Sequence, residues 1–219
     1  MSEAGINDTA PIATADFFRR ARERLDFAVP ADLADPSVSY TRGDHALDKI
    51  VAMSDAPLRI AAVLIGIVER SEPMVLLTQR AAHLTDHPGQ IAFPGGKIDA
   101  GETPLQAALR EAHEEVGLEG RFVDPIGYLD VYVTSRNFRI VPTLARVTPG
   151  FKLTLNEHEV DDAFEVPLSF LTNPKNHQRH SRDYNGVKRH YYAMPFGERY
   201  IWGVTAGILR GLYEQLVLP

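Results

Sequence analysis

Residues 59–68 read RIAAVLIGIV, the longest apolar stretch in the chain. The run is β-rich and far too short to span a bilayer, which takes ~20 apolar residues. A strand without polar alternation is expected to be buried on both faces. A fold that accommodates it needs packing on either side of a sheet, and this excludes a bare hairpin or an open meander.

The flanking patterns supply that packing. MVLLTQR (74–80) reads as a second strand after the turn at Ser71, Glu72 and Pro73. Residues 122–133 and 138–147 alternate loosely like paired strands, and 165–171 resembles a short strand entering a turn. Asn185-Gly186, set between β-rich runs in 177–194, is a strong hairpin signal. Helices are expected at 16–27, where Phe17, Ala21 and Leu25 share a face, and at 202–216, where Val204, Ile208, Leu212 and Leu216 form a stripe. A third is expected at 103–116, with Thr103 as N-cap, Pro104 at N1, Gln106 completing a capping box and Gly117 as terminator. Residues 1–13 are expected to be mobile, and 30–55 to be an extended lead-in with a short helix near 46–53. Strands alternating with few helices imply an α/β fold, a mixed sheet with helices on its faces.

Composition narrows function mainly by exclusion. The 219-residue chain has no cysteine, which removes disulfide scaffolds, zinc–thiolate sites and cysteine nucleophiles. Its net charge of −6 argues against a general nucleic-acid or anionic-membrane binder. The Met-Ser-Glu start lacks the charged-then-apolar pattern of a secretory signal, so cytoplasm is the expected compartment.

Chemistry concentrates in 96–118, GKIDAGETPLQAALREAHEEVGL. On a helix, Leu105, Ala108, Leu109, Ala112 and Val116 form an apolar stripe expected to face the sheet. Glu111, Glu114 and Glu115 border it. Glu111 and Glu115, one turn apart, repel each other. A hard divalent cation such as Mg²⁺, which prefers carboxylate oxygen, would relieve that repulsion.

The segment resembles the Nudix box, Gly-x5-Glu-x7-Arg-Glu-U-x-Glu-Glu-x-Gly-U with U aliphatic. Every fixed position is met, by Gly96, Glu102, Arg110, Glu111, Glu114, Glu115 and Gly117, with Ala112 and Leu118 at the U positions. Leu76-Leu77-Thr78-Gln79-Arg80-Ala81, then Gly89, then Phe93-Pro94-Gly95-Gly96, is similar to the additional motif of coenzyme A pyrophosphatases within that family. The spacing is ungapped, and one position departs: Thr85 stands where the motif has a second arginine.

The resemblance implies an α/β/α sandwich around a mixed sheet, with an N-terminal extension over 1–55 and the Nudix domain over 56–219. It implies Mg²⁺- or Mn²⁺-dependent hydrolysis of the diphosphate bridge of coenzyme A, or of its acyl or oxidised forms. The products would be 3′,5′-ADP and 4′-phosphopantetheine. Hydrolysis of ADP-ribose or a nucleoside triphosphate is the alternative activity, and a ligand-sensing module without catalysis the alternative class.

The expected metal ligands are Glu111 and Glu115, with Glu114 in the same cluster and the Gly96 carbonyl beside them. Arg110 is expected to orient Glu111. Glu159, in the loop after the box, is the choice for general base or further ligand, ahead of Glu157. Arg80 is expected to fork onto the diphosphate, and Lys97 is a further substrate-binding candidate. His83, His87 and His113 are expected to be structural or exposed. The basic hairpin residues His177, Arg179, His180, Arg182, Lys188, Arg189 and His190 carry two readings: solubility of an edge hairpin, which is the expectation, or a seat for the 3′-phosphate. The partner is thus a small nucleotide, with no nucleic acid or membrane, and a homodimer is left open.

Overall fold

A computed structural model describes residues 13–48, 56–184 and 186–218. The strands are β1 (Arg42–Gly43), β2 (Arg59–Val68), β3 (Met74–Arg80), β4 (Ile91–Ala92), β5 (Gly95–Lys97) and β6 (Val123–Tyr128). They continue as β7 (Tyr132–Val133), β8 (Phe138–Val147), β9 (Val160–Pro167), β10 (Gln178–Tyr184), β11 (Val187–Phe196) and β12 (Arg199–Trp202). The helices are α1 (Thr14–Arg24), α2 (Pro104–Val116), α3 (Leu168–Leu171) and α4 (Val204–Leu216).

The long apolar run is the middle of the main sheet, whose path is β1-β7-β8-β2-β3-β4. β2 runs parallel to β8 along its whole length, from Arg59 opposite Phe138 to Val68 opposite Val147. Its other partners, β3 and β5, are antiparallel, so the sheet is mixed. Alternate residues serve two cores. Ala62, Leu64 and Val68 meet the alanine face of α2. Ile65 and Ile67 meet a larger cluster built from α1, α4 and the β11–β12 region. The three layers expected from the sequence are present. Among the described residues no helix is long and apolar enough to cross a membrane.

The punctuation of α2 follows the sequence closely. The Thr103 side chain accepts from the Gln106 amide at 3.2 Å, the Gln106 side chain accepts from the Thr103 amide at 2.8 Å, and Gly117 takes the left-handed conformation at φ 70°. Its buried face is rotated from the expected one. Ala107, Ala108, Ala112, Glu115 and Val116 are buried, whereas Leu105 and Leu109 are only partly so. Small side chains let the helix lie close to β2 and β5, and this turns Glu115 inward.

Other expectations need adjustment. The strand placed at 165–171 begins earlier, as β9, because it pairs with β3 from Arg80–Val160 to Met74–Pro167; Leu168–Leu171 is helical. The stretch 122–133 is two strands, β6 and β7, both on β8. The closing helix starts at Val204, since Trp202 belongs to β12 and pairs with Ala193. Of the helix expected at 46–53, residues 49–53 lie outside the described residues, and the described part is a 3-10 turn over Asp44–Leu47. Residues 1–12, expected to be mobile, and Asn185 of the hairpin turn also lie outside them.

The lead-in is bound to the sheet by contacts the sequence did not announce. Phe17 and Ala21 of α1 are fully buried, and Arg20 and Arg24 donate to the Val217 and Gln215 carbonyls at 3.1 and 2.6 Å, at the carbonyl-rich end of α4. Arg139 of β8 is buried and donates to the carbonyls of Asp32, Leu33 and Val38 at 3.2, 2.6 and 2.6 Å, under the Tyr40 ring. Removing such a donor leaves buried carbonyls unpaired. Arg139→Ala is expected to lower unfolding free energy by at least ~2 kcal/mol and to expose 30–40 to proteolysis before the sheet. Urea unfolding and timed proteolysis check this, and a variant as stable and as resistant as the parent would contradict it.

Candidate active site

The site is assembled from three segments at one edge of α2. β5 brings Gly95 and Gly96 alongside β2, with Ala62 opposite Gly96. A β-carbon on Gly96 would fall 2.3–2.6 Å from the Glu111 carboxyl group. Only a residue without a side chain lets that carboxylate rest on the strand. The loop before β9 forms the opposite wall. It hangs from the end of α2 by Thr154 and Asn156 amides donating to the Val116 and Glu115 carbonyls, both at 2.9 Å, and from the end of β3 by the Ala81 amide donating to the Glu159 carbonyl at 2.9 Å.

These supports bring Glu111, Glu115 and Glu159 together, each offering one oxygen within 4.8 Å of the others. Glu159 is exposed, Glu111 half-buried and Glu115 buried. Burial pushes the Glu115 carboxyl up to about 8, reinforced by the charges of Glu111 and Glu159 and opposed by the Gly95 amide and Arg80. Glu111 is raised for the same first reason, with Arg110 pulling against it. Oε2 of Glu115 is buried without a hydrogen-bond partner. Three converging carboxylates suit a hard divalent cation such as Mg²⁺ or Mn²⁺.

Arg110 organises the rim. Its Nε and Nη2 donate to the two oxygens of Glu102 at 2.8 and 3.0 Å, and its Nη1 donates to Glu111 at 2.9 Å and Glu114 at 3.0 Å. Nη2 also reaches the Lys97 carbonyl at 3.1 Å. This contact holds Lys97 by its backbone; its side chain is exposed. Glu102, which received no role from the sequence beyond its motif position, is drawn below the usual carboxylate range by Arg110 and the Asp99 amide. Glu114 stays outside the converging trio, its carboxylate turned to Arg110. Glu157 is also outside it.

Arg80 leaves the end of β3 with its Nε buried and unpartnered, and no ion pair engages it among the described residues. Of the three histidines, His83 and His113 are exposed, and His87 contacts Arg136 at 3.2 Å.

Residues 57–185 match the family described as NUDIX domain. A protein of Enterobacter sp. (strain 638) named "Uncharacterized Nudix hydrolase NudL" is 38% identical over 159 residues, spanning 72% of this chain and 83% of its own length. A protein of the same name from Yersinia enterocolitica serotype O:8 / biotype 1B is 40% identical over 157 residues, 71% of this chain and 80% of its own. Among solved structures, a Nudix hydrolase from M. smegmatis, RenU, is 25% identical over 53% of this chain and 78% of that one, at a TM-score of 0.46. The chain belongs to the Nudix hydrolase family, whose members cleave nucleoside diphosphates linked to another moiety and generally use divalent cations.

Two predictions follow from this geometry. Gly96→Ala is expected to displace the Glu111 carboxylate and lower kcat by at least ~10²-fold, as loss of one charge-stabilising contact does; unaltered turnover would mean the close approach is immaterial. The second concerns pH. Between the usual carboxylate value near 4.5 and about 8, folded Glu115 keeps its proton while the unfolded chain has lost it. Stability of the metal-free protein therefore falls as pH rises through that window. In EDTA the melting temperature of the parent is expected to drop more steeply from pH 5 to pH 8 than that of Glu115→Gln. Parallel curves would show that Glu115 does not titrate this way.

Proposed function

We propose that the chain hydrolyses the diphosphate bridge of coenzyme A, or of its acyl or oxidised forms, giving 3′,5′-ADP and 4′-phosphopantetheine. The observation that carries this reading is Arg80. It lies within an ungapped run from Leu76 to Gly96 that is similar to the coenzyme A pyrophosphatase motif, and its buried Nε has no hydrogen-bond partner among the described residues. A guanidinium so placed has forked donors for phosphate oxygen.

In this reading residues 56–219 carry the reaction and the lead-in braces them. Glu111 and Glu115, with the Gly96 carbonyl, would hold Mg²⁺ or Mn²⁺. Bound there, the cation supplies charge neutralisation and lowers the pKa of water. The residues do the rest. Arg110 fixes Glu111, Glu102 and Glu114 fix Arg110, and Arg80, with Lys97 nearby, steadies the diphosphate. Glu159, the exposed member of the trio, takes the proton of the attacking water. The water oxygen forms a bond to phosphorus as the bridging oxygen departs with the electron pair of the broken bond, leaving two phosphomonoesters. Positioning and charge stabilisation supply most of the rate in such transfers.

A side-by-side rate comparison tests the reading. Coenzyme A is expected to show higher kcat/KM than ADP-ribose or any nucleoside triphosphate at equal Mg²⁺ and ionic strength, with activity abolished by EDTA. Arg80→Ala is expected to cost ~1.5–3 kcal/mol in kcat/KM, the range for a charge-assisted bond. A tenfold advantage for ADP-ribose would remove the coenzyme A assignment, and activity undiminished in excess chelator would remove the metal.

A further inference from the structure

A cavity of about 600 Å³ opens where β10, β11 and β12 meet the 3-10 turn at Asp44–Leu47 and the loop joining β3 to β4. Its wall carries Arg136, Arg182 and Arg189, with Tyr191 and Trp202 beside them. The acids on the same wall are already engaged. Asp44 accepts from the Tyr132 hydroxyl at 3.0 Å and the Ser135 amide at 2.8 Å. Asp48 meets the His190 amide at 2.9 Å and its ring Nδ1 at 2.7 Å.

The hairpin register sharpens the charge. Arg182 lies directly opposite Arg189 across β10 and β11, so the two share a face. Like charges so placed destabilise a strand pair. Two guanidinium groups on one face of the hairpin, both on the cavity wall, offer charged donors to an anion. Tyr191 and Trp202, packed edge to face with ring centroids 5.3 Å apart at 63°, bring aromatic faces to the wall on which a base can stack.

A third cation arrives from elsewhere in the chain. Thr85 occupies the position where the resembled motif carries an arginine. Arg136, in the turn between β7 and β8, reaches that same loop, with Nη1 at 3.2 Å from the His87 ring and 3.5 Å from Asp86. His87 itself adopts φ 57°, an uncommon conformation for a residue with a side chain. Gln90 links this wall to β3, since its carbonyl accepts the Arg80 amide at 2.9 Å.

We infer that this cavity binds the phosphorylated nucleoside half of the substrate, with Tyr191 and Trp202 against the base and Arg136, Arg182 and Arg189 around a phosphomonoester. The inference rests on the coenzyme A reading, in which the adenosine half carries a 3′-phosphate.

Trp202 is the single tryptophan of the chain, so its fluorescence reports this cavity alone. The full-length protein, without divalent metal, is titrated with 3′,5′-ADP and with AMP, which lacks the 3′-phosphate. The parent is expected to bind 3′,5′-ADP at least ~10-fold more tightly than AMP, the margin of one charge-assisted contact. R182Q/R189Q is expected to erase that margin with the unfolding temperature not lowered, and R136A, which leaves the hairpin intact, to reduce it. Equal affinities in the parent, or a margin that survives both variants, would overturn the inference. If the margin is absent while coenzyme A is still hydrolysed, the cavity is wrong and the reaction stands. If the margin is present in a protein that does not cleave coenzyme A, the reaction is wrong and the cavity remains a site for a phosphorylated nucleoside.

Discussion

The rest of the site answers to one constraint, the burial of the Glu115 carboxylate against the sheet. Burial disfavours the ionised form of a carboxylate, and it pushes Glu115 up to about 8 despite the Gly95 amide and Arg80. The resident arginines relieve it only in part. Arg110 is occupied by Glu102, Glu111 and Glu114, and Arg80 only partly offsets the repulsion from Glu111 and Glu159. The cluster therefore carries an excess of negative charge that a divalent ion would match. The features around it are ones of restraint: alanines where larger residues would lift α2 from the sheet, and a glycine where a β-carbon would strike Glu111.

Much of this was legible in the sequence where one residue type has one physical job. The run at 59–68 had to be a strand covered on both faces, and it is the centre of the sheet. The caps of α2 act locally, through side chains within a few positions of each other, and they appear where the sequence placed them. The rotation of α2 was less legible. A stripe counted from leucines treats large residues as the buried ones, but the sheet here receives alanines. Close packing therefore selected the smaller side chains and drew Glu115 in with them, leaving Leu105 and Leu109 partly exposed.

Long-range contacts were illegible for a different reason. Arg139 reads as an ordinary polar position in an alternating strand, yet it closes a ring of carbonyls from a segment about a hundred residues away. Glu102 was visible only as a motif letter, since its bond to Arg110 spans the loop before α2. Glu114, expected within the metal cluster, faces the same arginine. Glu159 is legible in the sequence as a carboxylate in the loop after the box, ahead of the Val166-Pro167-Leu168 segment. Its approach to Glu115 depends on backbone bonds from that loop to both α2 and β3, which no local pattern encodes.

The charge balance shows how composition and site relate. A net charge of −6 argues against a general nucleic-acid or anionic-membrane binder and leaves a small polyanion open. Yet many of the acids are paired inside the protein: Glu102 with Arg110, Glu165 with Arg70, Glu214 with Arg42 and Arg210, Asp162 with Arg199. At physiological ionic strength, exposed charges beyond ~8 Å are largely screened. A ligand near the hairpin therefore responds to Arg182, Arg189 and Arg136 and to acids already hydrogen-bonded, while a diphosphate beside α2 responds to the carboxylate trio and Arg80. The same acidic chain thus presents a repulsive and an attractive surface to one polyanion, side by side. Local pairing, and not the net charge, decides which surface each part of the ligand meets.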